Sequence, residues 1–338
     1  MQVRVETICR LHFGFMNLTG SSNRLNGSMG VALNSPNTVV TVGRNKNLVI
    51  KNGNEKKIFG FVTKFSKRYH IEPNLRIEVE KSIPEHLGLG SGTQLALAIS
   101  VALAKINDIL IDVREIAAFM GRGKRSQVGI ACFDMGGFII DADEKIILKE
   151  EIAPPKRTIF RREFPENWCF VLVIPETEIG LSGEIEAAAL KRVTPSKKIS
   201  GEICKLVQGQ LLPSFFQEDI EGFGSALTEI DRRTGLYFGK AQGGVYRDKM
   251  GKEIIECMLR SGVYGVGQSS WGPTLYGLVK EKESRQIADR MRHFLTGNKI
   301  KGRVLVSRCN NTGAKIIVNS EKSRQRVQFD IERSLCSI

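Results

Sequence analysis

The pattern of hydrophobic and polar positions predicts strands and helices in alternation along the chain. Residues 75–83 (LRIEVEKSI) alternate most regularly between apolar and polar. A period of two is typical of a strand with one buried face. The other predicted strands are apolar runs rich in β-branched or aromatic residues. They are residues 2–8, 38–42, 136–141, 145–150, 168–175, 274–279 and 303–307.

Apolar residues at helical spacing predict the helices. Over residues 56–69 they include Phe61 and Phe65, which fall on one face. A second helix follows a glycine-rich loop and runs to about residue 107, and Asp112 is placed to cap a third. Further helices are predicted at 198–209, 213–233, 250–261 and 282–296.

The length and a change of composition predict two domains. A chain of 338 residues is long enough for two hydrophobic cores. Small and charged residues dominate residues 176–200, which is typical of a junction or surface loop. We therefore expect an N-terminal domain at 1–175 and a C-terminal domain at 176–338.

Composition narrows the class of protein. No run of eighteen apolar residues is present, and the first residues lack an apolar signal core, so we expect a cytoplasmic protein without membrane spans. The seven cysteines are odd in number and lack CxxC spacing, which argues against a disulfide framework and a structural zinc site. The four histidines form no HExxH motif.

The net charge of +14 indicates polyanionic partners. A nucleic acid and a small molecule carrying a diphosphate are the two candidates, and a solvated basic surface is the third interpretation. No zinc finger, helix-turn-helix or RNA-binding motif accompanies the charge. The sequence therefore favours the small molecule over nucleic acid.

The segment GLGSGT at 88–93 lies between a predicted strand and a predicted helix. Glycines permit close backbone approach, and the N–H groups at a helix start bind phosphate. An ordinary glycine turn with a Ser or Thr cap is the alternative. The residues predicted to bind a di- or triphosphate are Gly88, Gly90, Ser91, Gly92 and Thr93. The hydroxyl of Ser91 or Thr93 is also a candidate ligand for Mg²⁺.

Together with Pro84, this segment resembles the second motif of the GHMP kinase superfamily, in which it wraps the nucleotide phosphates. That resemblance implies a second glycine-rich loop beside it, formed here by Gly267, Gln268, Ser269, Ser270 and Trp271. It also implies an α+β fold with two subdomains. The N-terminal half would be ribosomal-protein-S5-domain-2-like, the C-terminal half ferredoxin-like, and the active site would lie in the cleft between them.

One position departs from the kinases of this superfamily. Mevalonate-kinase-like members carry a catalytic aspartate after a serine and ahead of a Gly-Gly pair. Aligning Ser126 and residues 136–137 with those features places Gly129 at the aspartate position. Asp134 lies five residues further on. Glycine cannot accept a proton, so the sequence keeps the phosphate loop but lacks one key kinase group.

The chain is similar to one branch of the superfamily, the β-ribofuranosylaminobenzene 5′-phosphate synthases of tetrahydromethanopterin biosynthesis. The matching segments include GLGSGTQLALA, GRGKRSQVGIACFDMGGFIID, LLPSFFQEDIEGFG and GVGQSSWGPTLYGL. The resemblance implies a homodimeric, decarboxylating phosphoribosyltransferase. It would join 5-phosphoribosyl 1-diphosphate to 4-aminobenzoate or 4-hydroxybenzoate and release CO₂ and diphosphate, with Mg²⁺ as the cofactor.

Such a reaction assigns roles to residues outside the loop. Arg10 and His12, beside Phe13, would orient the aryl carboxylate, and together with Ser91 they are the predicted catalytic residues. The basic segment of Arg122, Lys124 and Arg125, or alternatively Arg10 or the loop at Ser269 and Ser270, would bind the 5′-phosphate.

Each of these residues also has a purely structural interpretation. Arg10, His12 and Phe13 follow a predicted strand, where alternate positions belong to core and surface. Trp271 either stacks on a substrate ring or packs in the core. Asp134, Glu218 and Asp219 are candidate Mg²⁺ ligands, but the sequence favours the interpretation that they are solvated surface residues.

Two other functions stay open on sequence grounds. The first is an ATP-dependent small-molecule kinase of the same superfamily. The second, more distant, is a non-enzymatic protein that binds anions or nucleic acid, which the basic charge alone permits.

Overall fold

The computed structural model describes residues 1–16, 27–141, 158–176, 193–194 and 196–319. Within these residues, helices cover three largely antiparallel β-sheets, so the predicted α+β class is confirmed. None of the helices in this part of the chain is long and apolar enough to cross a membrane.

The first sheet combines strands from both ends of the described chain. Its strands are β1 (Gln2–Glu6), β4 (Val39–Arg44), β5 (Val49–Lys51), β6 (Leu75–Lys81) and β13 (Lys315–Asn319). Their order is β13-β1-β4-β6-β5, and only β5 and β6 pair in parallel. The helices α1 (Glu55–Tyr69) and α2 (Ser91–Ile106) bury their apolar residues against this sheet.

The second sheet has the order β2-β3-β7-β8. Its strands are β2 (Cys9–Phe15), β3 (Ser28–Leu33), β7 (Phe138–Asp141) and β8 (Thr158–Arg162). Two short helices, α3 (Val113–Phe119) and α4 (Val128–Met135), follow α2, and α4 packs on β2, β3 and β7. The pairing of β2 with β3 shifts register between His12 and Gly14, which marks a β-bulge.

The third sheet has the order β10-β11-β9-β12 and is antiparallel throughout. Its strands are β9 (Trp168–Pro175), β10 (Gly265–Gln268), β11 (Leu275–Lys280) and β12 (Gly302–Arg308). The helices α8 (Gly251–Arg260) and α9 (Glu281–Gly297) pack on one face. Counted along the chain, the strands are ordered 2-3-1-4, which is the ferredoxin-like arrangement expected for this half.

The long helix α7 (Ile220–Gln242) connects the second and third sheets. Before it run α5 (Lys197–Leu206), a π-helical turn (Val207–Leu211) and α6 (Leu212–Phe216). The helix α7 lies directly on the strand β10 at Gly224, where a Cβ would lie 2.1 Å from the Tyr264 carbonyl oxygen. Glycine at this position therefore permits the close contact that places α7 between the two sheets.

Outside residues 197–242, the predicted strands and helices that fall on described residues are confirmed apart from their ends. The single helix predicted at 213–233 is wrong, because α6 ends at Phe216 and α7 begins after Asp219. The Asp219 carboxylate accepts the N–H groups of Glu221 and Gly222 at 3.1 Å and so caps a new helix. The strands β2, β3, β5, β8, β10 and β13 and the helix α4 were not predicted.

The two halves of the chain exchange strands. The strand β9 ends at Pro175, within the predicted N-terminal domain, but it pairs with β11 and β12 of the C-terminal half. The strand β13 belongs to the C-terminal half but pairs with β1. The domain limits 1–175 and 176–338 stay a prediction. The predicted strand at 145–150 and most of the predicted junction at 176–200 lie outside the described residues.

A buried carboxylate fixes the start of α4. Asp141 is 2% exposed and accepts the Gln127 N–H and the Ser28 hydroxyl, both at 2.7 Å. We expect Asp141→Ala to lower the free energy of unfolding by about 3 kcal/mol, because buried donors lose their acceptor. Urea denaturation checks this, with the exposed Asp289→Ala as the control. Equal unfolding midpoints for the two variants would contradict it.

Candidate active site

The two glycine-rich segments contact each other backbone to backbone. A Cβ at Gly88 would lie 2.1 Å from the Ser269 carbonyl oxygen, and Gly88 has a φ of 74°. The buried Ser269 hydroxyl donates to the Gly88 carbonyl at 2.7 Å and accepts the His12 N–H at 3.0 Å. One hydroxyl thus joins the strand β2 and both loops that the sequence predicted to lie together.

Arg10 lies along the first loop. Its N–H donates to the Leu89 carbonyl at 3.2 Å, and its guanidinium contacts the Gly88 carbonyl. A Cβ at Gly90, where φ is 84°, would lie 3.2 Å from Arg10 Cγ. The loop is therefore built around the arginine stem, which holds a positive charge beside the loop amides.

The start of α2 carries a second cation. The first N–H groups of a helix have no intrahelical acceptor and suit an anion. A Cβ at Gly92, in the first turn, would lie 3.5 Å from Arg122 Nη1. The Arg122 guanidinium also packs over the Phe61 ring at 5.5 Å, and burial lowers its pKa. No carboxylate pairs with Arg122 among the described residues.

Position 129 faces the same loop. Gly129 lies in the first turn of α4, and its carbonyl accepts the Gln94 side-chain amide at 2.8 Å. A Cβ there would lie 3.8 Å from Thr93 Cγ2 and 4.0 Å from Arg10 Cγ, which is ordinary contact distance. An aspartate would therefore fit beside the loop, but the chain has no side chain there.

An aromatic pocket adjoins this loop across β2 and the second glycine segment. Its cavity volume is about 30 Å³, within about 420 Å³ of empty space that includes the solvent at its open mouth. His12 and Phe15 have ring centroids 4.8 Å apart, and Phe238 and Trp271 have theirs 5.0 Å apart. A Cβ at Gly14 would lie 2.7 Å from Thr234 Oγ1, so β2 and α7 close one wall tightly. The other lining residues are Asp231, Gly235, Gln242, Val245, Gln268 and Ser270.

His12 is a neutral hydrogen-bond donor in this pocket. Burial, and then the charge of Arg10, hold its pKa well below the usual range. The Gly14 N–H donates to His12 Nδ1 at 3.2 Å, so the neutral ring carries its proton on Nε2. His12 is therefore suited to donate a hydrogen bond rather than to supply a positive charge.

Asp231 is the ionisable residue that sequence reasoning missed. It is 6% exposed, and its Oδ1 accepts the Gln268 N–H at 2.9 Å. Burial raises its pKa to about 8. A Cβ at Gly267 would lie 2.6 Å from Asp231 Cγ and 2.3 Å from the Tyr276 hydroxyl, so this glycine makes room for both groups. One sequence signal could have found it. Asp231 follows Leu227 by four residues, which places its carboxylate on the apolar face of the predicted helix.

The second glycine segment differs from the expected loop. Gly267 and Gln268 belong to the strand β10, and the turn proper begins at Ser269. Ser270, with φ of 56°, and the nearly buried Trp271 both line the pocket. The structure thus brings these residues to the pocket, and Trp271 both packs in the core and presents a ring to it.

The remaining candidate residues have different surroundings. Phe13 is fully buried against Tyr276, at 5.5 Å between ring centroids, so its expected place beside the aryl slot is wrong. Lys124 is exposed, while Arg125 is half-buried. Asp134 pairs with Arg114 at 3.7 Å.

The donor set fits Mg²⁺ only together with a phosphate ligand. The described residues contain no group of three or more His, Cys, Asp or Glu side chains that could hold a metal ion. Ser91 and Thr93 lie partly exposed at the start of α2. Hydroxyls, substrate phosphate oxygens and waters are a donor set that Mg²⁺ accepts, so these residues fit an ion that arrives with a diphosphate.

We expect Gly90→Val to abolish diphosphate binding in a folded protein. The branched side chain would press on Arg10 and fill the loop. The matched control is Gly121→Val, because Gly121 also has a positive φ (74°) but no atom within 4 Å of a Cβ. Calorimetric titration with diphosphate measures both, and equal affinities for the two variants would contradict the assignment.

Asp231→Asn should raise the melting temperature in a pH-dependent way. Between about pH 4 and pH 8 the unfolded chain ionises Asp231 while the folded protein keeps its proton, so the wild type loses stability as pH rises through this window. Asparagine keeps an acceptor for the Gln268 N–H and does not titrate. Calorimetry should find a gain of several degrees at pH 8 that shrinks towards pH 4, and a pH-independent gain would contradict it.

Comparison with known proteins identifies related sequences over nearly the whole chain. The chain is 29% identical over 335 residues to beta-ribofuranosylphenol 5'-phosphate synthase of Methanothermobacter thermautotrophicus, with 94% of this chain and 99% of the relative covered. It is 30% identical over 328 residues to the Archaeoglobus fulgidus protein of the same name, with 94% and 100% covered.

Family models and solved structures agree with these relatives. Residues 56–140 match the GHMP kinases N terminal domain, and residues 211–296 match GHMP kinases C terminal. Homoserine kinase from Cytophaga hutchinsonii superposes with a TM-score of 0.69 at 17% identity, covering 94% of this chain and 97% of that one. The expected GHMP-kinase-like fold is therefore confirmed. The chain belongs to the beta-ribofuranosylphenol 5'-phosphate synthase family of enzymes within the GHMP kinase superfamily.

Proposed function

We propose that the chain transfers the phosphoribosyl group of 5-phosphoribosyl 1-diphosphate to a para-substituted benzoate, with release of CO₂ and diphosphate. One observation carries the proposal: a phosphate-type glycine loop opens beside an aromatic pocket, and the two share the strand β2 and the turn at Ser269. The relatives' name, which specifies a ribofuranosylphenol 5'-phosphate, supports the same chemistry.

The leaving diphosphate would bind at residues 88–93. The start of α2, Arg10 and Arg122 would stabilise the charge that develops as the bond from C1′ to the diphosphate oxygen breaks. We propose that Mg²⁺ enters with this diphosphate and is held in part by the hydroxyl of Ser91 or Thr93. When bound, such an ion would neutralise phosphate charge.

The benzoate would occupy the aromatic pocket. Trp271 and Phe238 provide apolar ring surfaces, and His12 Nε2 provides a neutral donor. Arg10 lies two residues from His12 along β2 and offers a cation for the carboxylate. The 5′-phosphate would then use the basic segment that contains Arg125.

The absence of a side chain at position 129 argues against phosphoryl transfer as the chain's activity. An aspartate at Gly129 would face Thr93 and Arg10, where an acceptor hydroxyl meets the phosphates in a kinase. The kinase therefore ranks second, although the loop itself suits a nucleotide. A non-enzymatic anion-binding protein ranks last, because its aromatic pocket would have no role.

The finer assignments rest on the resemblance of the sequence alone. We propose that the enzyme acts as a homodimer in the cytoplasm. On the same ground we propose that its reaction belongs to tetrahydromethanopterin biosynthesis.

The proposed activity is measured directly. Purified protein with phosphoribosyl diphosphate, Mg²⁺ and carboxyl-labelled 4-hydroxybenzoate or 4-aminobenzoate should release labelled CO₂ and form an aryl riboside phosphate. Arg122→Met should lower the rate at least tenfold, because it removes the cation beside the loop. The exposed Arg290→Met is the control. Absence of labelled CO₂ with both benzoates would overturn the proposal, and ATP-dependent phosphorylation of an alcohol would replace it with the kinase.

A further inference from the structure

Asp231 is an acid on the pocket wall that none of the proposed steps uses. The pocket walls are otherwise aromatic, aliphatic or neutral polar, and His12 is held neutral. Charged residues lie close to Asp231 in the sequence, but its electrostatic neighbours in the structure are the uncharged phenols of Tyr246 and Tyr276. No cation pairs with Asp231 among the described residues. Its function is therefore not that of an ion-pair partner.

The positions of Asp231 and Arg10 determine how a benzoate would be oriented in the pocket. A carboxylate placed against Asp231 would meet a like charge or a buried acid, whereas Arg10 and the glycine loops form the cationic end of the site. The acceptor's carboxylate would therefore point towards Arg10, and its 4-substituent towards Asp231.

We propose, as a deepening of the function proposed above, that Asp231 is the base that accepts and returns the proton of a 4-hydroxyl group on the acceptor. The inference rests on the proposed phosphoribosyl transfer. It assigns Asp231 as a catalytic residue that contacts substrate.

The proton transfer balances with the bond changes. As ring C1 bonds to ribose C1′, the bond from C1′ to the diphosphate oxygen breaks with its electron pair. The hydroxyl proton passes to the Asp231 carboxylate, and the O–H electron pair forms the ring carbonyl. The C1–carboxylate bond then breaks, its electrons restore the aromatic ring, and the carbonyl oxygen takes the proton back as CO₂ leaves.

A 4-amino group does not need this residue. The nitrogen lone pair can push electrons into the ring without losing a proton, and loss of CO₂ then regenerates the neutral amine. The two acceptors therefore respond differently to removal of the carboxylate, which separates a catalytic role from a structural one.

The raised pKa of Asp231 suits a base that takes a proton from a phenol. Burial raises the pKa of Asp231 to about 8, nearer to that of a phenol at about 10, which favours efficient proton transfer. Burial also raises the pKa values of Tyr246 and Tyr276, and it lowers that of His12. Among the groups that face Asp231, it alone titrates between about pH 7 and pH 9.

The test compares Asp231→Asn with wild type on both acceptors. The control is Glu229→Gln on the same helix, a half-exposed residue that pairs with Arg232. We expect the variant to lose about 100-fold or more in kcat/KM with 4-hydroxybenzoate, within the usual range for a general base, and less than about fivefold with 4-aminobenzoate. With 3,5-difluoro-4-hydroxybenzoate, whose hydroxyl is already ionised at neutral pH, the loss should largely disappear.

A second measurement needs no variant. Wild-type kcat/KM with 4-hydroxybenzoate should rise with pH to a plateau above about 8, because the base must be ionised, and the limb should be missing with 4-aminobenzoate. Equal losses of the variant on both acceptors, or no loss on either, would overturn the role of Asp231 while leaving the proposed function intact. Inactivity of the wild type towards both acceptors would overturn the proposed function, and the inference would fall with it.

Discussion

The buried hydroxyl of Ser269 is the contact on which the site depends. It holds the carbonyl of Gly88 and the amide of His12 at the same time, and these groups belong to segments far apart in the chain. Because Gly88 lacks a Cβ, the two glycine segments can approach to backbone contact. The phosphate-type loop, the strand that carries Arg10 and His12, and the turn that carries Trp271 are thereby fixed as one unit.

The resulting site is electrically asymmetric. Arg10 and Arg122 lie at the helix start, where the backbone itself favours anions. The aromatic pocket at the other side carries a neutral histidine and contains a carboxyl group that burial keeps protonated up to about pH 8. A substrate with a negative end and a weakly acidic end matches both sides, whereas a substrate with two negative ends would leave one charge without a cation in the pocket.

Local signals predicted part of this architecture. The glycines between a predicted strand and a predicted helix were sufficient to predict that residues 88–93 form a loop leading into a helix. The spacing of apolar residues was sufficient to predict most of the helices. The strand β3 is buried at every position, so it has no alternation to recognise. Asp231 lies beside Arg232 and close to Glu229 in the sequence, as a solvated residue would, and segments that are distant in the sequence, such as the strands β10 and β11, bury it. Such long-range burial leaves little trace in local sequence.

The bulge in β2 limits how this pocket can change in evolution. Gly14 has a φ of 111°, and a Cβ there would lie 2.7 Å from Thr234 Oγ1, so a side chain at position 14 would strain the backbone and displace the Thr234 side chain on α7. The strand β2 therefore forms a wall of the pocket that tolerates little change, and its residues Arg10 and His12 also contact the two glycine loops. Adaptation to a larger or smaller aromatic acceptor would have to come from α7 and the segment after it, through residues such as Phe238 and Val245. Relatives that accept different rings should accordingly differ there while keeping glycine at 14.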